Sequence, residues 1–245
     1  TAKQDIPYVV RHYQQNLDDN NYTLVETENL VGEADKQVSP AVKSYTGFKQ
    51  PDVQTKVIAA YGSTIIEYKY PRETYVIALN KGTGIASVSG AGTYKYGESV
   101  TIDATVSTTG DFNWVNWTGS FTTTTKKYTF TATSNVTVTA NAQETITFAV
   151  YSATDKSFRL YRSTTVPTAG STYKGRTATA VYKGIDKTNF TSYEEQPWAN
   201  YALSVKKVVV EDVIYPTNTA WWFGDMRNCP SFTVGNINMS KCINA

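Results

Sequence analysis

The sequence predicts a mainly β protein of several domains, because its apolar residues are of strand-forming type and recur at every second position in short runs closed by turn residues. Of the 245 residues 40% are apolar, with 18 Tyr, 9 Phe and 5 Trp but only two Met. Val, Ile and the aromatics dominate that fraction, and Thr occurs in long runs. Such side chains lose χ1 freedom in a helix and pack well on a pleated, half-buried surface. The clearest alternation is SVTIDATV at 99–106, which turns Val100, Ile102, Ala104 and Val106 to one face and Thr101, Asp103 and Thr105 to the other. A chain of this length suits two or three modules of ordinary size.

Charge and compartment narrow the function classes. The net charge of +2 comes from interspersed acids and bases, with no basic stripe to neutralise a row of phosphates, so nucleic acid is not an expected partner. No apolar run approaches the roughly 20 residues a bilayer span requires, so no membrane insertion is expected within this chain. The opening TAKQD has neither the charged nor the apolar part of an export signal, and a removed signal or an excised segment is expected. Cys229 and Cys242 stand close in sequence; separate packed thiols are favoured over a disulfide, since cysteine often serves as a small apolar filler.

The first module is expected over 1–72. YVVRHYQQ at 8–15, the polar turn LDDNN at 17–21 and YTLVETENLVG read as a hairpin. Ser39 before Pro40 has the form of an N-cap with Pro at the first helical position, predicting a short helix near 40–44. Two more strand runs follow, split at Tyr61 and Gly62, with Ile66, Tyr68 and Tyr70 on one face. These motifs, YxVxHYQQN, YTLVET, YTGFxxP and S-x-I-x-Y-x-Y-x-R, resemble the mucin-binding-protein-like repeats of Gram-positive surface proteins. Tyr61 replaces the more usual Asp or Asn, and Pro71 intrudes before Arg72, which alters turns without removing a core position. The resemblance implies a β-grasp-like N-terminal module.

The second module is expected over 73–143. KYTFTATSNVTVTANA alternates twice: Tyr128, Phe130 and Ala132 face in, Ser134 and Asn135 turn the chain, and Val136, Val138 and Ala140 face in again, predicting a hairpin. Glycines 82, 84, 90, 92 and 97 include GxG spacing, but no helix pattern follows, so tight turns are expected rather than a phosphate loop. The spacing G-x-G-x-Y-x-Y-G-x-x-V-T-I-x-A, then GDFNWVNWTG and NVTVTA, resembles the divergent internalin-B-type repeat of bacterial surface proteins. That likeness implies a second all-β repeat module with Trp117 in its core. A platform of Phe112, Trp114 and Trp117 for a sugar ring is the alternative, weighed against core burial at about 2 to 3 kcal/mol per aromatic.

The third segment, 144–245, opens with a hairpin of TITFAVYSA and SFRLYRS around TDK, then a strand in TATAVYKG and a buried strand at Val208, Val209 and Val210. A strand, an aromatic turn and another strand recur about 25 residues apart, a leucine-rich-repeat period. The run Ala220, Trp222, Phe223, Asn228, Cys229, Ser231, Phe232, followed by a degenerate Asn238 to Cys242, resembles the opening of BspA-like leucine-rich-repeat surface proteins. The resemblance implies a C-terminal β-rich segment leading into a leucine-rich-repeat solenoid, with Cys229 and Cys242 pointing into its interior. A solenoid unit cannot bury its apolar face alone, so further repeats are expected beyond Ala245.

The search for chemistry nominates no catalytic set. His12 is the lone histidine and has no nucleophile assigned to it, and one His with two Cys falls short of a closed zinc set. The adjacent acid pairs Asp18/Asp19, Glu194/Glu195 and Glu211/Asp212 read as solvated carboxylates, and Glu211 and Asp212, being neighbours in an extended run, face opposite ways. The Asp18 to Asn21 cluster lacks calcium-loop spacing. A Lys–Asn isopeptide bond stays open. No catalytic, cofactor or metal residues are therefore expected, and no cofactor. The candidate ligand contacts are the aromatics Trp114, Trp198, Trp221 and Trp222. The expected function is non-enzymatic: an extracellular, cell-surface or cell-wall fragment, monomeric, acting in adhesion or display toward a surface protein or glycan. A carbohydrate-binding module is the alternative.

Overall fold

The computed structural model describes residues 3–242; Thr1 and Ala2 of the opening run and Ile243 to Ala245 of the closing one lie outside the described residues. The protein is mainly β, with several separate sheets. It divides into two compact units, Thr1–Val106 with Trp114–Asn141, and Ser107–Asn113 with Ala142–Ala245.

In the first unit, β1 (Ile6–Gln15) and β2 (Tyr22–Gly32) form the antiparallel hairpin that the sequence predicts, with a register shift between His12 and Tyr13. A short ribbon of β3 (Gln37–Val38) and β4 (Lys56–Val57) follows, then β5 (Ile65–Tyr70), which runs parallel to β1 and makes it the central strand. Period 2 sends Ile6, Tyr8 and Val10 of β1 and Ile66, Tyr68 and Tyr70 of β5 to one buried face. Val38, Val42, Tyr45 and Phe48, from the chain between the two hairpin arms and β5, cover it.

The expected helix at 40–44 is absent; that stretch has no regular secondary structure. Its backbone groups are engaged by the sheet instead: Tyr68 Oη donates to the Pro40 carbonyl at 2.6 Å, and the Lys43 N–H donates to Tyr70 Oη at 2.9 Å. Ser39 does not cap; its hydroxyl meets that of Thr55.

The chain continues through β6 (Thr74–Lys81), β7 (Ile85–Ser89), β8 (Gly92–Lys95), β9 (Ser99–Val106), β10 (Phe112–Gly119), β11 (Tyr128–Thr131) and β12 (Val136–Glu144). They form two sheets, in the orders β10-β12-β6-β8 and β11-β9-β7. The predicted alternations hold: Val100, Ile102, Ala104, Ala132, Val136, Val138 and Ala140 are buried. The predicted hairpin does not. β11 pairs with β9, whereas β12 runs parallel to β6 in the other sheet. Asn135 explains the crossing, because its side-chain oxygen accepts the Val76 N–H of β6 at 2.8 Å, while Ala132 exchanges backbone bonds with Gly97 and Glu98. Gly90 turns between β7 and β8 at φ +97°, and a Cβ there would stand 2.2 Å from the Thr101 carbonyl oxygen; only glycine fits.

Arg72 ties β1 of the first sheet to the turn that follows β8. Its Nε donates to the Gln15 carbonyl and a terminal nitrogen to the Tyr96 carbonyl, both at 2.9 Å, and its guanidinium lies 4.9 Å from the Phe48 ring. Gly47, at φ +80°, lets the Tyr96 ring approach; a Cβ would sit 2.1 Å from it.

In the second unit, β13 (Ile146–Ser152) and β14 (Ser157–Ser163) form the predicted hairpin. The small ribbon of β15 (Thr172–Tyr173) and β16 (Arg176–Thr177) precedes β17 (Ala180–Lys183), which pairs with β13. β18 (Lys207–Val210) lies parallel to β14, and β19 (Ser231–Thr233) parallel to β18 with Lys207 opposite Ser231. Among its described residues one short helix, α1 (Ala199–Ala202), and two 3-10 turns, Ile185–Lys187 and Met239–Lys241, accompany these strands.

Trp117 lies wholly buried in the second module, its indole N–H donating to the Lys126 carbonyl at 2.8 Å. Replacing a buried aromatic by alanine removes burial and leaves a cavity, at about 3 to 5 kcal/mol. Trp117→Ala should therefore lower unfolding stability by about that amount in chemical denaturation; a loss under about 1 kcal/mol would place Trp117 outside the core.

Candidate functional site

A polar cleft of about 270 Å³ opens in the second unit, and its walls follow from the pleat of β13 and β14. Thr147 stands opposite Arg162 in the register, two residues along from the pair Ala149 and Leu160. All four side chains thus share one face, and the apolar core on that face gives way to polar groups at its end.

Arg162 Nε donates to Asp111 Oδ2 at 2.7 Å, and its backbone N–H to Asp212 Oδ2 at 3.0 Å. Asp111 is fixed in turn, since its carbonyl accepts the Thr145 N–H at 2.8 Å. Asp186 sits in the 3-10 turn that follows Gly184, a left-handed residue whose N–H donates to the Thr147 carbonyl. Thr217 clamps this turn by donating its N–H and hydroxyl to the Asp186 carbonyl, at 2.8 and 3.0 Å. Tyr215 adds an aromatic wall, with the Arg162 guanidinium 5.5 Å and the Lys241 ammonium 5.3 Å from its ring. Lys187 completes the rim and reaches Glu144 at 3.3 Å.

The Asp186 side chain is the unusual member. It is 8% exposed, and its Oδ1 is buried with no hydrogen-bond partner among the described residues. Burial pushes its carboxyl above the usual aspartate range, and the nearby Asp111 charge adds to the rise, against a Thr147 hydrogen bond and the Lys187 charge. The cleft therefore holds one carboxylate paired with an arginine, Asp111, beside one whose charged form is disfavoured. A neutral carboxyl both donates and accepts a hydrogen bond. Such a site can grip hydroxyls and an anion through Arg162, Lys187 and Lys241.

The sequence-nominated groups fall elsewhere. Trp198 and Trp222, expected among the ligand contacts, are core residues: both are buried, Trp198 packs on Phe158, Tyr182 and Phe190, and its indole N–H donates to the Trp222 carbonyl at 3.1 Å. Burial of so large an apolar surface outweighs an exposed stacking role. Trp114 is half-buried, bonded to the Thr124 carbonyl and set edge-on to Trp117. Trp221 is 49% exposed.

His12 is fully buried between Tyr70 Oη at 2.8 Å and Glu28 Oε1 at 2.7 Å, and it stacks on Tyr68. Lys43 bridges Glu26 and Glu28 beside it, rather than meeting an asparagine. Hydrogen bonds from Lys43 and Tyr45 hold the Glu26 carboxyl below the usual range. Glu211 and Asp212 diverge as expected, toward the Arg159 side chain and the Arg162 backbone. Asp19 closes its turn by accepting the Asn21 N–H at 2.8 Å. Cys229 and Cys242 are free thiols, bonded to the Ser231 and Pro216 carbonyls. Among the described residues no three His, Cys, Asp or Glu side chains cluster as for a metal ion. No described helix is long and apolar enough to cross a membrane.

Sequence reasoning tested only neighbouring acids and so missed Asp111 and Asp186, which the fold brings to one cleft from turns far apart in the chain. No local signal marks them.

No protein-family model matches the chain, and no curated protein matches it. Among solved structures it is similar to the Bacillus anthracis TIE protein, with a TM-score of 0.38 and 10% identity over 74% of this chain and 43% of that one. The chain thus spans less than half the length of that protein, and a likeness this weak carries no functional meaning.

Asp186 yields a pH prediction. Its folded carboxyl holds a proton to higher pH than the ordinary value of 3.8, so folding loses stability as pH rises from there through the folded value. Asp186→Asn should raise the unfolding temperature at neutral pH, and the gain should vanish as pH falls toward 3.8. A gain that persists unchanged in acid would contradict this account of the carboxyl.

Proposed function

We propose that the chain is a non-enzymatic, extracellular part of a modular cell-surface or cell-wall protein that acts in adhesion or display of a protein-binding surface. The observation that carries this reading is the parallel ladder β14-β18-β19. The step from β18 to β19 is close to the roughly 25 residues of a leucine-rich-repeat coil, and Ile214 bridges Ile237 in the same parallel sense. Building by coils of this kind extends a surface one rung at a time, which suits protein recognition. The BspA-like reading of the C-terminal segment draws support from it.

The mucin-binding-protein-like reading of 1–72 draws on the strand order β2-β1-β5 with its parallel central pair. An irregular segment at 40–44 takes the place of the helix expected there. The internalin-B-type reading of 73–143 draws on the buried Trp117. Partners on this view are surface proteins of host or bacterial cells.

Near the coil, Trp221, Phe232 and Val213 leave large apolar side chains in solvent, a composition that suits a contact surface. The purified chain, titrated against a panel of intact cells, mucin and matrix proteins, should bind at least one target saturably without releasing product from peptide or polysaccharide substrates. Replacing Trp221 and Phe232 together by alanine should weaken that binding about tenfold or more. Absence of binding across the panel, or measurable turnover, would overturn the proposal. Exposed Trp221 also favours a glycan-binding reading, which a glycan array decides by a retained glycan that Trp221→Ala no longer holds.

A further inference from the structure

We propose that the cleft around Asp186 in the second unit is a binding site for a monosaccharide-sized acidic polyol, with its anionic group on Lys241 and Arg162 and a hydroxyl on the buried Asp186 carboxyl. This inference stands apart from the adhesion reading and needs neither the coil nor the exposed aromatics.

Size sets the first limit. At about 270 Å³ the cleft falls at the small end of ligand pockets, too small for a peptide or an extended oligosaccharide. Charge sets the second. Three cations, Arg162, Lys187 and Lys241, line the cleft against Asp111 and Asp186. Asp111 neutralises Arg162 in part, through Nε and one terminal nitrogen, and Glu144 pairs with Lys187. Lys241 has no acidic partner within ion-pair reach among the described residues, and that one unmatched positive charge suits a monoanion and disfavours a metal ion. A single carboxylate matches that surplus better than a doubly charged phosphate.

The third limit is the buried, partnerless Asp186 oxygen. A buried polar atom without a hydrogen bond costs about 1 to 3 kcal/mol, and a ligand hydroxyl of donor and acceptor character would remove that cost. A simple carboxylic acid anion offers nothing for it. Thr217 supports the same chemistry, since its hydroxyl hydrogen is committed to the Asp186 carbonyl and its oxygen lone pairs remain for a second hydroxyl. Tyr215 supplies the apolar wall against which a sugar ring's C–H groups pack.

The test is titration of the whole chain by isothermal calorimetry and by amide-shift mapping, using glucuronate and galacturonate, with glucose, glucose 6-phosphate, acetate and inorganic phosphate as the other arms. One of the two hexuronates should bind at least tenfold more tightly than glucose and acetate, and more tightly than glucose 6-phosphate. Shifts should centre on Asp186, Lys187, Thr217 and Lys241. Lys241→Ala, at an exposed position, should weaken that binding at least fivefold with the unfolding temperature unchanged, and Asp186→Leu should weaken it as much without lowering the unfolding temperature. Tighter binding of glucose 6-phosphate would keep the cleft as an anionic-polyol site and overturn the carboxylate assignment. Equal binding of acetate, phosphate and hexuronate would reduce the cleft to a general anion patch, and no binding by any arm would remove it as a site; either result overturns the proposal. Both leave the cell-binding assay untouched, so the two readings fail separately.

Discussion

The second unit depends on one constraint: the β13-β14 hairpin is buried on both faces. Along β14 every residue from Ser157 to Tyr161 is buried, and β13 is buried from Thr147 to Ser152. Successive side chains on a strand point to opposite faces, so one hairpin serves two cores. Ala149, Tyr151, Phe158 and Leu160 join Trp198, Trp222 and Val208 on one side; Phe148, Val150 and Tyr161 meet Ala178 on the other. A shift of one residue in the β13-β14 register would exchange the two sets. The larger core is what holds the chain after β18 in place, and through it Tyr215 and Thr217 reach the cleft. The cleft is thus the polar end of the same face, at Thr147 and Arg162.

Buried polar groups in such a fold separate into those with partners and those without. His12 makes two hydrogen bonds and a stacking contact, and Arg159, almost wholly buried, is paired with Glu211. Removing one partner from either would leave a stranded polar or charged group, which is why such pairs specify a single arrangement even where their net contribution is small. Asp186 is different, for its charge is disfavoured and one oxygen stays unpaired. A residue that costs stability where it stands, beside a cavity lined by cations, is where function is best sought.

Much of this architecture was legible in the letters, and the remainder was not for a common reason. Alternation reports which residues turn inward, and it placed Ile66, Tyr68 and Tyr70 of β5 and Val100, Ile102 and Ala104 of β9 on buried faces, while the strand-forming runs located β1, β2 and the β13-β14 hairpin. It says nothing about which distant strand is the partner. The pairings β1 with β5, β6 with β12 and β14 with β18 are all parallel and all cross long stretches of chain, so no turn motif announces them. Ser134 and Asn135 do turn the chain but close no hairpin, because Asn135 binds β6 instead of folding back on β11. Ser39 and Pro40 have a helix-start signature, but proline is equally at home in an extended segment, and the two tyrosine hydroxyls of β5 take the backbone groups a helix would have used. Trp198 and Trp222 were nominated for ligand contact by residue type alone; their burial is a property of the three-dimensional core.

The joint at Arg72 bears on how modules of this kind are strung together. Its side-chain bonds go to the carbonyls of Gln15 and Tyr96, and the neighbouring bonds, Glu73 N–H to Gly47 and Lys49 N–H to Pro71, are backbone to backbone. A joint made to main-chain atoms constrains few side chains, so the flanking strands are free to vary while the geometry persists. Side chains enter where the Arg72 N–H meets the Gln15 side-chain oxygen, where Arg72 lies over Phe48, where Phe48 meets Tyr96, and at Gly47 under Tyr96, a contact no larger residue permits. Because bonds from both modules converge on residues 71–73, the connection has none of the freedom of a polar, glycine-rich linker. A link held this way has little conformational freedom left to lose, whereas a flexible one would lose it whenever the flanking parts were fixed together.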